Sequence, residues 1–195
     1  MSTFMRTLGL GAVLTLLPGL ALAHTGHGDA AGFAHGFMHP LGGLDHLLAM
    51  VTVGLFAAAL GGRALWAVPA SFVAMMLVGG ALGMAGLAMP FVENAILLSV
   101  IALGAVVALN MAPPVLVSVA IVGFFALFHG HAHGAEMPAG ASGLGYAAGF
   151  VLATSLLHAA GLVAGLGFSR FGDRLARLAG GAVTVAGLGL ASGLI

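Results

Sequence analysis

The sequence predicts an all-α protein, a polytopic bundle of transmembrane helices, and three observations lead to that prediction. Of the 195 residues, 61% are hydrophobic and only 5% are charged, whereas a soluble domain usually carries about 25% charged residues. The apolar residues form long runs separated by short polar or turn-forming clusters. The runs do not alternate as the strands of a membrane barrel do, and helices satisfy their own backbone hydrogen bonds in lipid.

Net charge and residue usage exclude several classes of function. Five basic residues against five acidic ones are too few for a nucleic-acid surface, so no nucleic-acid partner is expected. The chain has no cysteine, which excludes disulfides, thiolate metal sites and cysteine nucleophiles. It also has no nucleotide-binding motif. Nine histidines nearly equal the acidic and basic residues combined, and this bias indicates metal or proton handling.

The first 23 residues have the organisation of a secretory signal peptide. Arg6 precedes an apolar run from Leu8 to Leu17, and an Ala-Leu-Ala sequence ends at Ala23. The run is shorter than the roughly 20 residues that a spanning helix needs. We expect cleavage after Ala23, with an uncleaved anchor as the alternative. Residues 24–38 would then form a flexible, periplasmic His- and Gly-rich tail, and residues 39–195 the transmembrane domain.

Six apolar segments follow, and each is predicted to be a membrane-spanning helix. The arginines of the mature chain are confined to the predicted loops between segments 1 and 2 and between segments 5 and 6, which the positive-inside rule makes cytoplasmic. The mature N-terminus then lies outside, as a signal peptide independently requires, and we expect a bacterial inner-membrane location. The predicted segments cover residues 40–60, 65–88, 91–109, 115–129, 144–168 and 178–195.

Glycine is abundant, with 33 residues, and several glycines are spaced by four. Such small-xxx-small pairs let helices approach closely in lipid. We expect them to pack helices within one bundle, and an interface in a homo-oligomer is the alternative. The pairs are Gly79/Gly83, Gly145/Gly149 and Gly161/Gly165.

The stretch "HPLGGLDHLLAM", residues 39 to 50, places ionisable side chains at the start of the first apolar segment. Pro40 suits the first turn of a helix, so His39 is expected near the helix cap. His46 follows seven residues later on nearly the same face, with Met50 one turn below it. Asp45 should face the bundle interior, because a carboxylate in lipid is costly.

A second cluster, "FHGHAHGAE", covers residues 128 to 136. If the helix continues through it, His129, His133 and Glu136 share one face, and two histidines at i, i+4 can hold a metal. His131 falls on the opposite side and is a weaker candidate.

His158 lies alone near the middle of the fifth segment, with Thr154 one turn earlier able to orient its ring. An intramembrane histidine indicates function, and a neutral core histidine bonded to Thr154 or a carbonyl is the alternative. Alternating spans bring the first two clusters to the outer side. His46 and His129 should therefore face each other within roughly 10 Å around one cavity, with His158 nearby. Imidazole and carboxylate donors suit nickel, cobalt, zinc or copper(II).

At these residues the sequence resembles the HupE/UreJ family of hydrogenase and urease accessory proteins, which are regarded as nickel permeases. The family pattern HPxxGxDHxxxM is complete at residues 39–50, and FHGxAHGxE is complete at residues 128–136. The signal peptide and six spans are also similar, so the resemblance covers essentially the whole chain. It implies nickel, or less often cobalt or another divalent metal, entering from the periplasm.

These observations predict a membrane permease for a divalent transition metal, which is not an enzyme and carries no prosthetic group. Its partners are the ion and the lipid bilayer. Two other classes stay open: a membrane metalloenzyme that activates water, and a non-transporting sensor or metallochaperone partner. Against the enzyme, the sequence has no HExxH motif and no intramembrane serine obviously paired with a base. The candidate ligands are His39, Asp45, His46, His129, His133, Glu136 and His158.

Overall fold

The computed structural model describes residues 29–170 and 172–195, and every regular element within them is an α-helix. The all-α prediction is confirmed for this part of the chain. The predicted signal peptide, residues 1–23, lies outside the described residues, as do residues 24–28 of the predicted tail. The helices are α1 (Asp29–Gly42), α2 (Leu44–Leu60), α3 (Ala64–Met84), α4 (Val92–Ala108), α5 (Val115–Ala135), α6 (Gly143–Ser169) and α7 (Asp173–Ala191).

The N-terminal tail is helical, not flexible, from Asp29 onward, and it changes how the first motif is built. Helix α1 includes His39 and Pro40 near its end, so the prediction that Pro40 opens a spanning helix is wrong. Proline has no N–H to bond the preceding turn, which weakens the helix at this point. Gly43 then takes an extended conformation (φ −106°, ψ 124°), and the chain bends by 85° before α2. His39 and His46 therefore flank a bend and do not share a helix face.

Two other predicted boundaries were wrong. Helix α5 continues past His129 to Ala135, because Gly130 and Gly134, poor helix formers by themselves, are packed against the backbone of α3. The last helix begins at Asp173, an acid that favours a helix N-terminus. Arg177 is consequently helical and not part of a loop, and its Nε donates to the carbonyl of Ala108, 3.1 Å away, at the end of α4.

Three helices, α3, α5 and α6, are long and apolar enough to cross a membrane. The bent pair of α1 and α2 supplies a fourth crossing if its two parts count as one span. Helix α4 is apolar but has only 17 residues, and α7 carries Asp173, Arg174 and Arg177 near its start. The helices thus indicate a membrane protein, and the count of six spans stays a prediction.

The helices touch through glycines. A Cβ atom built at Gly79 or Gly83 of α3 would overlap the backbone of α5, and one at Gly130 or Gly134 of α5 would overlap the backbone of α3. Residue numbers rise together along this contact, so α3 and α5 run parallel. Small residues at such contacts let helices pack closely in lipid, where burial supplies no hydrophobic attraction between them.

Comparable contacts join α1 and α2 to α6, with residue numbers rising in the same direction, and join α4 to α7 with residue numbers running in opposite directions. The predicted pairs Gly79/Gly83 and Gly161/Gly165 thus pack helices within the chain, as expected. The contacts are at Gly36 and Gly149, at Gly54 and Gly161, and at Gly104 and Gly180.

Gly79→Ala should destabilise the protein by about 1–3 kcal/mol, the usual cost of overpacking, because its Cβ would overlap the carbonyl of Leu127. Gly80→Ala is the matched control, since its nearest atom, the Gly130 carbonyl oxygen, is at an ordinary 3.5 Å. Thermal unfolding in detergent should show a lower Tm for Gly79→Ala only. Equal Tm values for the two variants would contradict this account of the helix contact.

Candidate functional site

One face of α6 forms an interior wall of the bundle. Tyr146, Phe150, Thr154 and His158 follow each other at intervals of four residues, and all four are buried. Side chains at this spacing share a helix face, and each step advances about 6 Å along the axis. A group that contacts one of these four side chains can therefore be placed along the α6 axis, from Tyr146 at one end of the row to His158 at the other.

The two histidine motifs meet at the shallow end of this wall. His39 Nε2 lies 2.9 Å from Glu136 Oε2, across 97 positions of sequence. Their side chains are 29% and 59% exposed. The ring centroid of His39 is 6.0 Å from that of Tyr146 and 4.7 Å from that of His133. We call this group of His39, Glu136 and Tyr146 the mouth.

Inside the mouth the imidazole of His46 contacts those of His133 and His129, and we call these three rings the histidine cluster. The ring centroids of His46 and His133 are 4.3 Å apart, and those of His46 and His129 are 4.9 Å apart. The prediction that His46 faces His129 is confirmed. The side chain of His46 is 12% exposed, whereas His133 and His129 are 2% and 0% exposed. All three rings are therefore more buried than His39 of the mouth, and His129 is enclosed completely.

Asp45 orients His46. Its Oδ1 lies 2.8 Å from both the backbone nitrogen and Nδ1 of His46. An ionised carboxylate only accepts hydrogen bonds, so Nδ1 carries the hydrogen and Nε2 keeps its lone pair. That Nε2 is buried without a hydrogen-bond partner. A histidine held by a carboxylate in this way is the usual arrangement of a metal ligand.

Ser99 of α4 orients His129, and the sequence analysis missed it. Ser99 Oγ lies 2.6 Å from the Ile96 carbonyl oxygen and 2.9 Å from His129 Nε2. The single hydroxyl hydrogen is donated to Ile96, so His129 Nε2 must donate to Ser99. The lone pair of His129 then lies on Nδ1, which is buried and unpartnered. The sequence shows no intramembrane serine obviously paired with a base, because the partner of Ser99 lies on another helix.

His158 lies deeper than the histidine cluster and is separated from it by an aromatic ring. The ring centroid of Phe72 is 5.5 Å from that of His129 and 5.0 Å from that of His158. The sequence suggested that Thr154 orients His158, but the two side chains do not form a hydrogen bond. The Thr154 hydroxyl points to methionine sulfur atoms, and both nitrogens of His158 are buried without partners.

His131 belongs to none of these groups. Its Nε2 lies 2.7 Å from the carbonyl oxygen of Leu87, just beyond the end of α3. This bond ties α5 to the loop after α3. The prediction that His131 points away from His129 and His133 is therefore confirmed.

The imidazoles are clustered without forming a coordination sphere. Within the described residues, no group of three or more His, Asp and Glu side chains has its donor atoms placed to hold a metal ion. The rings of the cluster meet edge to face. To share an ion the rings would have to turn about their last torsion, which is intrinsically broad for histidine, against the hydrogen bonds to Asp45 and Ser99. Buried nitrogens without partners are costly, and a cation that accepts their lone pairs fits this chemistry.

Comparison with known proteins gives one family. The chain matches the model described as HupE / UreJ protein over residues 12–190, which include both histidine motifs. It is similar to Protein HupE of Rhizobium leguminosarum bv. viciae, with 50% identity over 179 residues, which are 91% of this chain and 93% of that protein. No solved structure matches the chain.

Cross-linking tests the contact between the two motifs in a chain that has no native cysteine. In His46→Cys/His129→Cys, a short membrane-permeable bifunctional reagent should join the two positions, because the rings they replace are in contact. The control is His46→Cys/Phe124→Cys, since Phe124 lies on α5 but is 57% exposed. Mass spectrometry of the joined peptides gives the yield. A yield in the control as high as in the test pair would refute the contact.

Proposed function

The chain belongs to the HupE/UreJ family, and from this premise we propose that it is a membrane permease for a divalent transition metal ion, nickel foremost. The observation that carries the proposal is the series of ring contacts from an exposed mouth to a buried interior, His39 to His133 to His46 to His129. Imidazole and carboxylate donors suit Ni²⁺, Co²⁺, Zn²⁺ and Cu²⁺. Nickel is placed first because the two motifs resemble those of nickel permeases.

The proposed path begins at Glu136, the carboxylate of the mouth, whose side chain is 59% exposed. A carboxylate there attracts a divalent cation and, with His39, replaces part of its water. His133 contacts both His39 and His46, so it can receive the ion from the mouth and pass it inward. Steps of 4–5 Å between ring centres let neighbouring imidazoles share an ion during transfer. Several modest sites in series suit conduction better than one tight site.

We propose that the mouth faces the periplasm and that the protein lies in a bacterial inner membrane. Helix α2 runs from His46 at the cluster to Leu60, so Arg63 follows at the end away from the mouth. Arg177 contacts the end of α4, which runs away from the level of His129 after Ser99. Basic residues at that end support a cytoplasmic side opposite the mouth.

The metalloenzyme is less well supported. The Ser99 hydroxyl donates to the Ile96 carbonyl, so His129 does not activate it as a nucleophile. Glu136 pairs with His39 at the mouth and not with the buried face of His129. A non-transporting sensor would need no groups deeper than its binding site, whereas the row on α6 continues to His158.

His46→Ala should abolish uptake of radioactive nickel into proteoliposomes while the amount of folded protein stays normal. Changes to groups that only support a metal ligand cost about 10–100-fold in affinity, and removal of a central ligand should cost at least as much. His35→Ala is the control, because His35 is exposed on α1 outside the cluster. Loss of the protein from the membrane in His46→Ala would make His46 a packing residue, and unchanged uptake would refute its role.

Asp45→Asn tests whether the carboxylate acts through His46. The amide oxygen can still accept from Nδ1, but the negative charge that strengthens the ligand is gone. We expect the KM for nickel uptake to rise about 10–100-fold, the usual effect of changing a group behind a metal ligand. Uptake measured over a range of nickel concentrations gives KM and the maximal rate. An unchanged KM would show that Asp45 does not tune His46.

A further inference from the structure

Two methionine sulfur atoms lie at the inner end of the histidine cluster, close to the level of His129, where three helices meet. Thr154 Oγ1 of α6 is 3.4 Å from Met50 Sδ of α2 and 3.6 Å from Met76 Sδ of α3. All three residues are fully buried. One hydroxyl hydrogen can be donated to only one sulfur at a time. The sulfur atoms therefore keep lone pairs that the protein does not use.

Depth along the α6 wall places these sulfur atoms on the proposed path. Phe150, whose ring is 4.1 Å from that of His133, comes one turn before Thr154. Met50 follows His46 by one turn on α2, so an ion that leaves His46 inward meets Met50 next. The sulfur pair thus continues the series of ligands without a gap of more than one helical turn.

His158 completes the group on its inner side. It follows Thr154 by one turn, and both of its ring nitrogens are buried and unpartnered. It also lines a groove of about 580 Å³ between α3 and α6, together with Leu65 and Pro69, which lie toward the end away from the mouth. His158 therefore lies one turn beyond Thr154 and borders this groove, while both of its nitrogens are enclosed by protein.

We propose that Met50, Met76 and His158 form a second, inner ion site that accepts soft and borderline cations and rejects hard ones. The proposal rests on the proposed permease function, because the ion arrives through the histidine cluster. Thr154 positions the two sulfur atoms between ions and releases them when an ion takes their lone pairs.

The donor chemistry of this site gives the selectivity that the mouth lacks. Carboxylates such as Glu136 and Asp45 attract any divalent cation, including Mg²⁺ and Mn²⁺. Thioether sulfur is an uncharged soft donor, and hard cations prefer oxygen and give up water reluctantly. An ion that goes deeper than the cluster must exchange oxygen for sulfur and nitrogen. Ni²⁺ makes this exchange more readily than Mg²⁺ or Mn²⁺. The mouth therefore captures divalent cations in general, and the inner site then selects Ni²⁺ over Mg²⁺ and Mn²⁺.

X-ray absorption at the nickel edge tests the site in the purified protein loaded with excess Ni²⁺, so that the weaker inner site is filled as well as the outer groups. We expect sulfur in the first shell of the wild type and its loss in Met50→Leu/Met76→Leu, a substitution that nearly conserves volume. Each single variant should lose one sulfur. Met75→Leu is the matched control, because Met75 neighbours Met76 but packs against Gly123, and it should keep the wild-type spectrum.

Competition in proteoliposomes provides a second measurement. In Met50→Leu/Met76→Leu, the ratio of nickel to manganese uptake should fall by about 10–100-fold, the range typical of changes around metal sites. Met75→Leu should keep the wild-type ratio.

The outcomes separate this inference from the permease proposal. A nickel shell of nitrogen and oxygen alone, or no retained nickel, overturns the inner site even if uptake is normal. Sulfur that persists in the double variant overturns it as well. Sulfur lost from the shell only in the Met50 and Met76 variants supports the site, even if no divalent metal crosses the membrane, a result that would remove the permease. The wild-type and single-variant spectra decide the matter if the double variant does not fold.

Discussion

Direct contact between helix backbones at glycines is the constraint on which the rest of this bundle depends. Helices in lipid gain no hydrophobic energy by associating, so close packing of small residues has to supply the attraction. On α5, Gly130 and Gly134 alternate with histidines, and at both positions α3 approaches too closely for a Cβ atom. One face of α5 thus packs while the neighbouring face carries imidazoles. The same approach brings Phe72 of α3 beside His129, with ring centroids 5.5 Å apart.

The buried imidazoles have a cost that the protein offsets only in part. Asp45 and Ser99 each fix one ring hydrogen, which leaves the lone pairs of His46 and His129 inside the bundle. Each unsatisfied buried group costs about 1–3 kcal/mol, and a domain retains only about 5–15 kcal/mol of stability. Several such groups are a large fraction of that total. A cation that binds the folded cluster and not the unfolded chain would return this energy by mass action.

The helical class and the contact between His46 and His129 could be predicted from the sequence. Long apolar runs have one structural solution in lipid, and an acid such as Asp45 requires polar neighbours. The bend at Gly43 could not be predicted, because Pro40 is acceptable either at the start of a helix or near its end. The packing of α1 on α6 determines which of these two positions Pro40 takes. Ser99 could not be found either. A single serine in an apolar helix has no distinguishing pattern until the neighbouring helices are known.

Burial itself explains the order of ligand chemistry along the proposed path. An ionised carboxylate deep in the membrane is energetically unfavourable. The carboxylates accordingly lie near the mouth, where Glu136 is exposed and Asp45 is still 21% exposed. Deeper positions must use neutral donors, first imidazole and then thioether. Neutral donors compensate the ion's two positive charges less than carboxylates do, so an ion held at Met50, Met76 and His158 is bound less firmly than at the mouth. An ion is released only from a site that binds it weakly. Because charged side chains are excluded from the interior, the deepest ligands are neutral and weak, and the ion can leave from them.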